Sequence, residues 1–215
     1  MVGAITIVSG LPRSGTSLMM QMLRAGGMPL LVDDVRAPDV DNPHGYFEFE
    51  PVKRAAQNTS WLAAAEDKAV KIILHLLFHL PADRHYRVLF LRRPLSEVVA
   101  SQRAMLERQG KSGAKLPDAK LIEMFSQELD KLAGWLSTHS NASLLEVDFP
   151  ALLATPLRSA KRIDRFLGGG LDLAAMTAAV KPSIGSRNAL HCEIEGEIAT
   201  LYDVALEHPL QPLRP

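Results

Sequence analysis

The sequence predicts an α/β fold with a mostly parallel central sheet, and three observations lead to this fold class. Short apolar runs of strand length alternate with longer segments of helical character, the order in which crossover helices join parallel strands. The runs at residues 69–74 and 87–91 are apolar almost throughout, as in strands that are buried on both faces. The length of 215 residues fits one domain over residues 1–215.

The elements of the first half follow from their residue types. Residues 4–9 form a β-rich apolar run, and Thr16–Ala25 is rich in Leu and Met and stops at two glycines. Residues 28–50 contain many Asp, Pro and Gly residues and are expected to be mostly loop. A helix is expected over residues 52–65, before the two buried strands.

The second half continues the alternation with one strand and five helices. The strand is expected over residues 144–147, and the helices over 96–108, 118–137, 156–168, 173–180 and 193–207. Asp118 and Thr155 are the predicted N-caps of two of these helices, and Pro156 suits a first helical position. Because the carboxyl ends of parallel strands meet at one edge of the sheet, we expect ligands to bind there.

Charge and cysteine content narrow the function classes. The 24 Lys and Arg residues balance 24 Asp and Glu residues, which argues against a nucleic-acid or membrane-surface partner, because such proteins usually carry a basic surplus. A single cysteine, Cys192, forms no internal disulfide, which favours a reducing compartment. The N-terminus lacks a basic signal-peptide region, and no apolar stretch reaches about 20 residues. We therefore expect a cytoplasmic protein, and the sequence leaves its oligomeric state open.

The sharpest motif is the first loop, residues 10–17, which reads GLPRSGTS between the first strand and the first helix. Its Gly-x-x-x-x-Gly spacing is typical of loops whose backbone amides surround a phosphate, and the helix N-terminus adds partial positive charge. Arg13 contributes a fixed charge, and Ser14, Thr16 and Ser17 contribute hydroxyl groups. The loop is therefore a predicted anion site. Thr16 stands where an ATP-binding loop of this spacing carries lysine, which argues against a kinase.

The first loop resembles the 5′-phosphosulfate loop of sulfotransferases that use 3′-phosphoadenosine 5′-phosphosulfate (PAPS). The second motif of that family follows a later strand and reads Arg-(Asp/Asn)-Pro-x-Asp, with a Ser eight residues beyond the Arg. This chain reads LRRPLSEVVAS over residues 91–101. Counting back from Ser101 selects Arg93, whereas anchoring on Pro94 selects Arg92; we favour Arg93.

Two further stretches are similar to the same family. Residues 144–156 resemble its Tyr-Glu-Asp-Leu strand and following helix, with Phe149 in place of Tyr, and residues 42–48 read NPHGYFE and resemble an Asn-Pro-x-Gly-Tyr-x-Glu segment of bacterial sulfotransferase-like proteins. The resemblance implies a three-layer P-loop-like fold. It also implies sulfuryl transfer from PAPS to a hydroxyl or amine of a small-molecule or carbohydrate acceptor. The histidines lack metal-ligand spacing, and no metal is expected.

The resemblance also implies roles for individual residues. Arg93 and Ser101 would bind the 3′-phosphate, a group that ATP lacks, and Arg187 lies where the family often has a late basic segment that contacts the cofactor. Arg13 would also stabilise the charge that develops as the sulfuryl group leaves. The 5′-phosphosulfate would be held by the residues of the first loop, namely Arg13, Ser14, Gly15, Thr16 and Ser17.

The base that accepts the acceptor's proton is less clearly marked. Cytosolic members of the family use a His in a Lys-Thr-His segment, which the stretch KIILH at residues 71–75 does not match, and other members often use a Glu. Glu48 is the first candidate, in a loop beside the expected edge; its alternative is a solvated carboxylate. His75 is the second, with a buried structural histidine as the alternative, and His44 the third. Lys71 would contact the sulfuryl group or cap its strand.

Two other function classes stay open from the sequence. One is a binding module on the same fold that holds an adenosine bisphosphate without catalysis, since a fold does not guarantee activity. The other is a small-molecule kinase with a P-loop, which the missing lysine at Thr16 weakens.

Overall fold

Four parallel strands form the central sheet. The structure, a computed structural model, describes residues 3–33, 35, 45–108, 110 and 116–180. The strands are β1 (Ile5–Gly10), β2 (Ala69–Lys71), β3 (Tyr86–Arg92) and β4 (Ala142–Asp148), and they pair in the order β2-β1-β3-β4. Each pair is parallel, so all four strands end at the same edge.

Helices cover both faces of the sheet. They are α1 (Thr16–Ala25), α2 (Leu74–Leu77), α3 (Leu95–Arg108), α4 (Asp118–Thr138), α5 (Phe149–Ala154), α6 (Pro156–Leu167) and α7 (Leu173–Ala179), with 3-10 helices at Glu50–Arg54 and Ser60–Ala65. Helices α1, α5, α6 and α7 pack on one face, whereas α2, α3, α4 and the 3-10 helices pack on the other. The three-layer α/β architecture predicted from the sequence is confirmed.

The strand sequences explain this layering. In β1, Ile7 packs into one apolar layer and Val8 into the other, and both are fully buried. In β3, Val88 and Leu89 divide in the same way. Because successive side chains of a strand point to opposite faces, a strand covered on both sides needs a continuous apolar run.

Two predicted elements differ from the structure. The helix expected over residues 52–65 is two 3-10 helices, separated where Asn58 Oδ1 accepts a hydrogen bond from Ser60 N at 2.8 Å. Such a side-chain turn competes with a continuing helix. The strand expected over residues 69–74 ends at Lys71, which pairs with Val8 of β1. Beyond it the chain turns into α2, and Ile73 O accepts a hydrogen bond from Leu77 N at 3.1 Å.

Other predictions concern helix ends and the C-terminal part. Asp118 is the first residue of α4 and not its N-cap, and its carboxylate accepts from Arg103 Nε. Thr155 precedes α6 as predicted, but its hydroxyl donates to Ala151 O at 2.9 Å and does not cap the helix. The expected helix 193–207 lies outside the described residues.

Within the described part of the chain, none of the helices has the length and apolar content that crossing a bilayer requires.

The strand order places a crevice beside β1. The chain leaves β1 toward β2 on one side, and its next strand, β3, lies on the other side of β1. Parallel sheets bind ligands where neighbouring strands send their connections in opposite directions, at the carboxyl ends. The loops that follow β1 and β3 therefore border the expected ligand site.

Candidate functional site

The first loop is a tight turn that leads directly into α1. Ser14 N donates to Leu11 O at 3.2 Å, and Gly15 serves as the N-cap of α1. No side chain caps this helix within the described residues, so the amides of its first turn are available to an anion. The hydroxyl of Ser14 is buried and has no hydrogen-bond partner among the described residues. A buried polar atom without a partner is rare, and beside a helix N-terminus such a hydroxyl is suited to an anion.

Both glycines of the first loop are required by conformation and by packing. Gly10 has φ +152°, and a Cβ atom there would lie 2.4 Å from Ser14 Oγ and 2.9 Å from Leu91 O. Gly15 has φ +103°, and its Cβ would lie 2.2 Å from two ring carbons of Phe149. The loop backbone is therefore held close to β3 and to the residue that follows β4.

Arg13 connects the first loop to α3. Its side chain is only 2% exposed, and its Nε donates to Ser101 Oγ at 3.0 Å. One turn farther along α3, Met105 Sδ lies 4.0 Å from Arg13 Nη1. Arg13 has φ +70°, a conformation that costs a non-glycine residue about 1–3 kcal/mol and that surrounding contacts must hold. The structure thus brings together Arg13 and Ser101, which the sequence assigned to opposite ends of the nucleotide.

Arg93 joins the same cluster from the loop after β3. Its Nη1 donates to Arg13 O at 3.0 Å, its Nε donates to Glu97 Oε2 at 3.0 Å, and its guanidinium lies 5.3 Å from the centre of the Phe149 ring. The neighbouring Arg92 is 40% exposed and pairs with Glu146 on β4. Arg93 is thus the arginine that contacts the first loop, in line with the register counted back from Ser101.

Glu48 and Lys71 form a second cluster at the carboxyl edge. Lys71, the last residue of β2, is 5% exposed, and its Nζ lies 3.3 Å from Glu48 Oε1 and also donates to Tyr46 O. Phe47, between these partners, has φ +55°, an outlier for a bulky residue. Such strained residues concentrate at functional sites. Glu48 is therefore held near the sheet edge by a buried ammonium and is not a solvated loop carboxylate.

His75 lies in a separate cluster between α2 and α4. Its Nδ1 is 3.5 Å from Glu128 Oε1, and its ring packs edge-on against His79 at 5.8 Å. Burial lowers the pKa of the His79 imidazole, and the adjacent His75 lowers it further. The described contacts join His75 to α4 and none joins it to the first loop, so they favour the structural alternative for this residue. His44 and Arg187 lie outside the described residues.

Two contributors to the site were not assigned from the sequence. Phe149 supports both Gly15 and Arg93, and the available signal was its position directly after β4, at the shared strand edge. Met105 contacts Arg13, and the signal was its spacing of four residues from Ser101 on one helix face. Neither signal distinguishes these residues from ordinary core positions, where large apolar side chains are frequent.

Comparisons with solved structures point to one fold. A sulfotransferase from Mycobacterium tuberculosis H37Rv has 16% sequence identity and a TM-score of 0.56, over 94% of this chain and 76% of that chain. A mouse sulfotransferase complexed with PAP has 14% identity and a TM-score of 0.55, over 93% of this chain and 78% of that chain. The sulfotransferase domain of the Synechococcus PCC 7002 olefin synthase has 15% identity and a TM-score of 0.50, over 98% of each chain. No protein-family model and no curated protein sequence matches this chain. At these identities the likeness shows a sulfotransferase-like fold.

Proposed function

We propose that this chain is a sulfotransferase that transfers the sulfuryl group of PAPS to a hydroxyl or amine of a small-molecule or carbohydrate acceptor. One observation carries the proposal. The first loop and the motif after β3 meet in the crevice through the bond from Arg13 Nε to Ser101 Oγ and the bond from Arg93 Nη1 to Arg13 O. These contacts span 88 and 80 positions in sequence. They join the uncapped start of α1 to the motif that contains Arg93 and Ser101, and a nucleotide with phosphate at both ends requires two such groups of donors.

The residues present fit such a ligand. At one end are the uncapped first turn of α1 and the buried hydroxyl of Ser14. At the other end of the nucleotide, the guanidinium of Arg93 offers charge-assisted hydrogen-bond donors. Ser101 Oγ accepts a hydrogen bond from Arg13, so its own O–H can donate to a phosphate oxygen. The PAP complex of the mouse sulfotransferase supports the same nucleotide class for this fold.

The proposed chemistry assigns roles to this chain's own groups. PAPS supplies the sulfuryl group when bound and leaves as PAP. The amides at the start of α1 and the guanidinium of Arg93 stabilise the negative charge that develops on the nucleotide. Such donors are effective because they are already oriented and need no reorganisation during the reaction. Glu48 takes the proton from the acceptor's hydroxyl or amine, and Lys71 fixes the carboxylate in place through the 3.3 Å contact.

A thermal-stability comparison tests the nucleotide class. We expect PAP and PAPS to raise the melting temperature and ATP to raise it far less, because ATP has no 3′-phosphate for Arg93 and Ser101. A nucleotide at 100 times its Kd stabilises the folded protein by about 2.7 kcal/mol. Stabilisation by ATP but not by PAP or PAPS would favour the kinase alternative. Stabilisation by PAP without labelled sulfate transfer to any member of an acceptor library would favour the non-catalytic binding module.

Arg93→Ala is expected to weaken PAP binding by roughly 10- to 150-fold, because a hydrogen bond to a charged group contributes about 1.5–3 kcal/mol. Binding of the analogue without the 3′-phosphate should change much less, and calorimetric titration of both ligands measures the difference. Arg92→Ala is the matched control, since the side chain of Arg92 is 40% exposed and pairs with Glu146. Equal losses for both nucleotides, or a larger loss in the Arg92 variant, would reject the role of Arg93.

A further inference from the structure

The outward face of α6 carries a concentrated basic surface. Arg158, Lys161, Arg162 and Arg165 are all exposed and line one shallow hollow together with Leu157, which is 47% exposed. Lys161 and Arg162 each lie three or four positions from both Arg158 and Arg165, so the four cations occupy one side of the helix. We call these four residues the basic face. The opposite side of α6 is buried in the core through Ala160 and Ile163.

No anion of the described residues balances the basic face. No hydrogen bond or ion pair within that part of the chain engages any of its four side chains. Asp164, the one carboxylate on α6, accepts instead from Leu171 N at 2.9 Å. Like charges at these helical spacings repel one another and destabilise the helix. An anionic partner of the right length would remove that repulsion.

The chain itself contains a matching anion. Residues 188–213 have five carboxylates and neither Lys nor Arg, whereas the rest of the chain has 24 Lys and Arg residues against 19 Asp and Glu residues. The neutral total charge is therefore the sum of a basic body and an acidic C-terminal segment. The five carboxylates are Glu193, Glu195, Glu197, Asp203 and Glu207.

The acidic segment is also within reach of α6. Helix α7 packs against α6, and the described residues end just after α7 at Val180. The 13 residues from Val180 to Glu193 extend over at most roughly 45 Å, and α6 is about 18 Å long. Since the segment belongs to the same chain, its effective concentration at α6 is high, and a separate anionic molecule would have to compete with it.

We propose that the basic face of α6 binds the acidic C-terminal segment, residues 188–213, of the same chain. Carboxylates of the segment pair with the three guanidinium groups and the ammonium group, and arginine forks suit carboxylates geometrically. Apolar residues of the segment, such as Ile194 and Ile198, stand between the carboxylates and suit the exposed Leu157. This inference is independent of the proposed sulfuryl transfer.

Cys192 provides the test, because it is the single cysteine of the chain and lies next to Glu193. A cysteine-reactive photo-crosslinker is attached to Cys192 of the full chain at low protein concentration, and crosslinked peptides are identified by mass spectrometry. We expect crosslinks within residues 156–167. We expect roughly a tenfold loss of them in salt of about 1 M, where the Debye length falls to about 3 Å.

Charge variants make the test specific. A variant with Gln in place of Arg158, Lys161, Arg162 and Arg165 should give no crosslinks. A second variant with E193Q, E195Q and E197Q should also give none, and it leaves the sequence of α6 unchanged. The control, R54Q with K131Q, removes exposed basic groups from the opposite layer and should leave the crosslinks unchanged. Crosslinks elsewhere in the chain, crosslinks to a second copy, or an equal yield in all variants would overturn the proposal. Binding of the unmodified protein through α6 to phosphatidylserine vesicles at physiological salt would overturn it as well.

Discussion

Glu48→Gln is expected to lower the rate of sulfuryl transfer by about 10²- to 10⁴-fold, the contribution of a positioned general base, while PAP binding stays unchanged. The amide oxygen of Gln can still accept from Lys71, whose Nζ lies 3.3 Å from Glu48 Oε1, so the local structure is retained and only proton acceptance is lost. Single-turnover rates with labelled PAPS, together with calorimetric binding of PAP, measure the two effects separately.

Two matched variants define what a negative result means. Glu50→Gln changes a carboxylate two residues away that pairs with Lys53 at 3.0 Å, and we expect the rate to be unchanged. His75→Gln removes the partner of Glu128 and should affect thermal stability more than the rate. A normal rate in the Glu48 variant combined with a large loss in the His75 variant would assign the base to His75.

Gly15→Ala is expected to destabilise the fold by about 2–5 kcal/mol and to abolish PAP binding. A left-handed conformation costs an L-residue about 1–2 kcal/mol, and overpacking adds about 1–3 kcal/mol. Both apply here, because Gly15 has φ +103° and its Cβ would lie 2.2 Å from the Phe149 ring. Urea unfolding measures the loss of stability.

Gly169→Ala and a double-mutant cycle separate the two causes. Gly169 has φ +87°, and a Cβ there meets no atom within 4 Å, so this variant carries the backbone cost alone, about 1–2 kcal/mol. In the cycle of Gly15→Ala with Phe149→Ala, the double variant should be less destabilised than the sum of the single variants, by about 1–3 kcal/mol. Strict additivity would mean that the Phe149 ring is not the obstacle.

The fold and the first loop were accessible from local sequence patterns. The run from Ile5 to Gly10 is apolar enough to be buried on both faces, and two glycines at fixed spacing followed by a helix predict an anion-binding turn. The helix over Thr16–Ala25 was predicted with its observed bounds. These features depend on residues that are neighbours in the chain. The spacing of apolar residues and the residue types of turns can therefore be read directly from the sequence.

Local sequence patterns did not predict where the elements end or which distant residues pair. β2 stops at Lys71 although the apolar run continues and β1 extends two residues farther, because the chain turns there into α2, where Ile73 O accepts a hydrogen bond from Leu77 N at 3.1 Å. The region over residues 52–65 has helical composition, yet the Asn58 turn divides it. In both cases a partner or a competing hydrogen bond outweighed the local preference.

The sequence by itself determined which chemical groups are present: a glycine-bounded loop with Arg13 after one strand, and two adjacent arginines with Ser101 after another. Only the tertiary structure decided how they combine. In the folded chain Arg13 donates to Ser101, which is 88 positions away in sequence. Arg93 contacts the first loop, whereas Arg92 pairs with Glu146. Glu48 lies beside Lys71. The physical reason is that the direction of a side chain at the end of a strand depends on strand register and on the residues packed around it, and these residues are far away in the sequence.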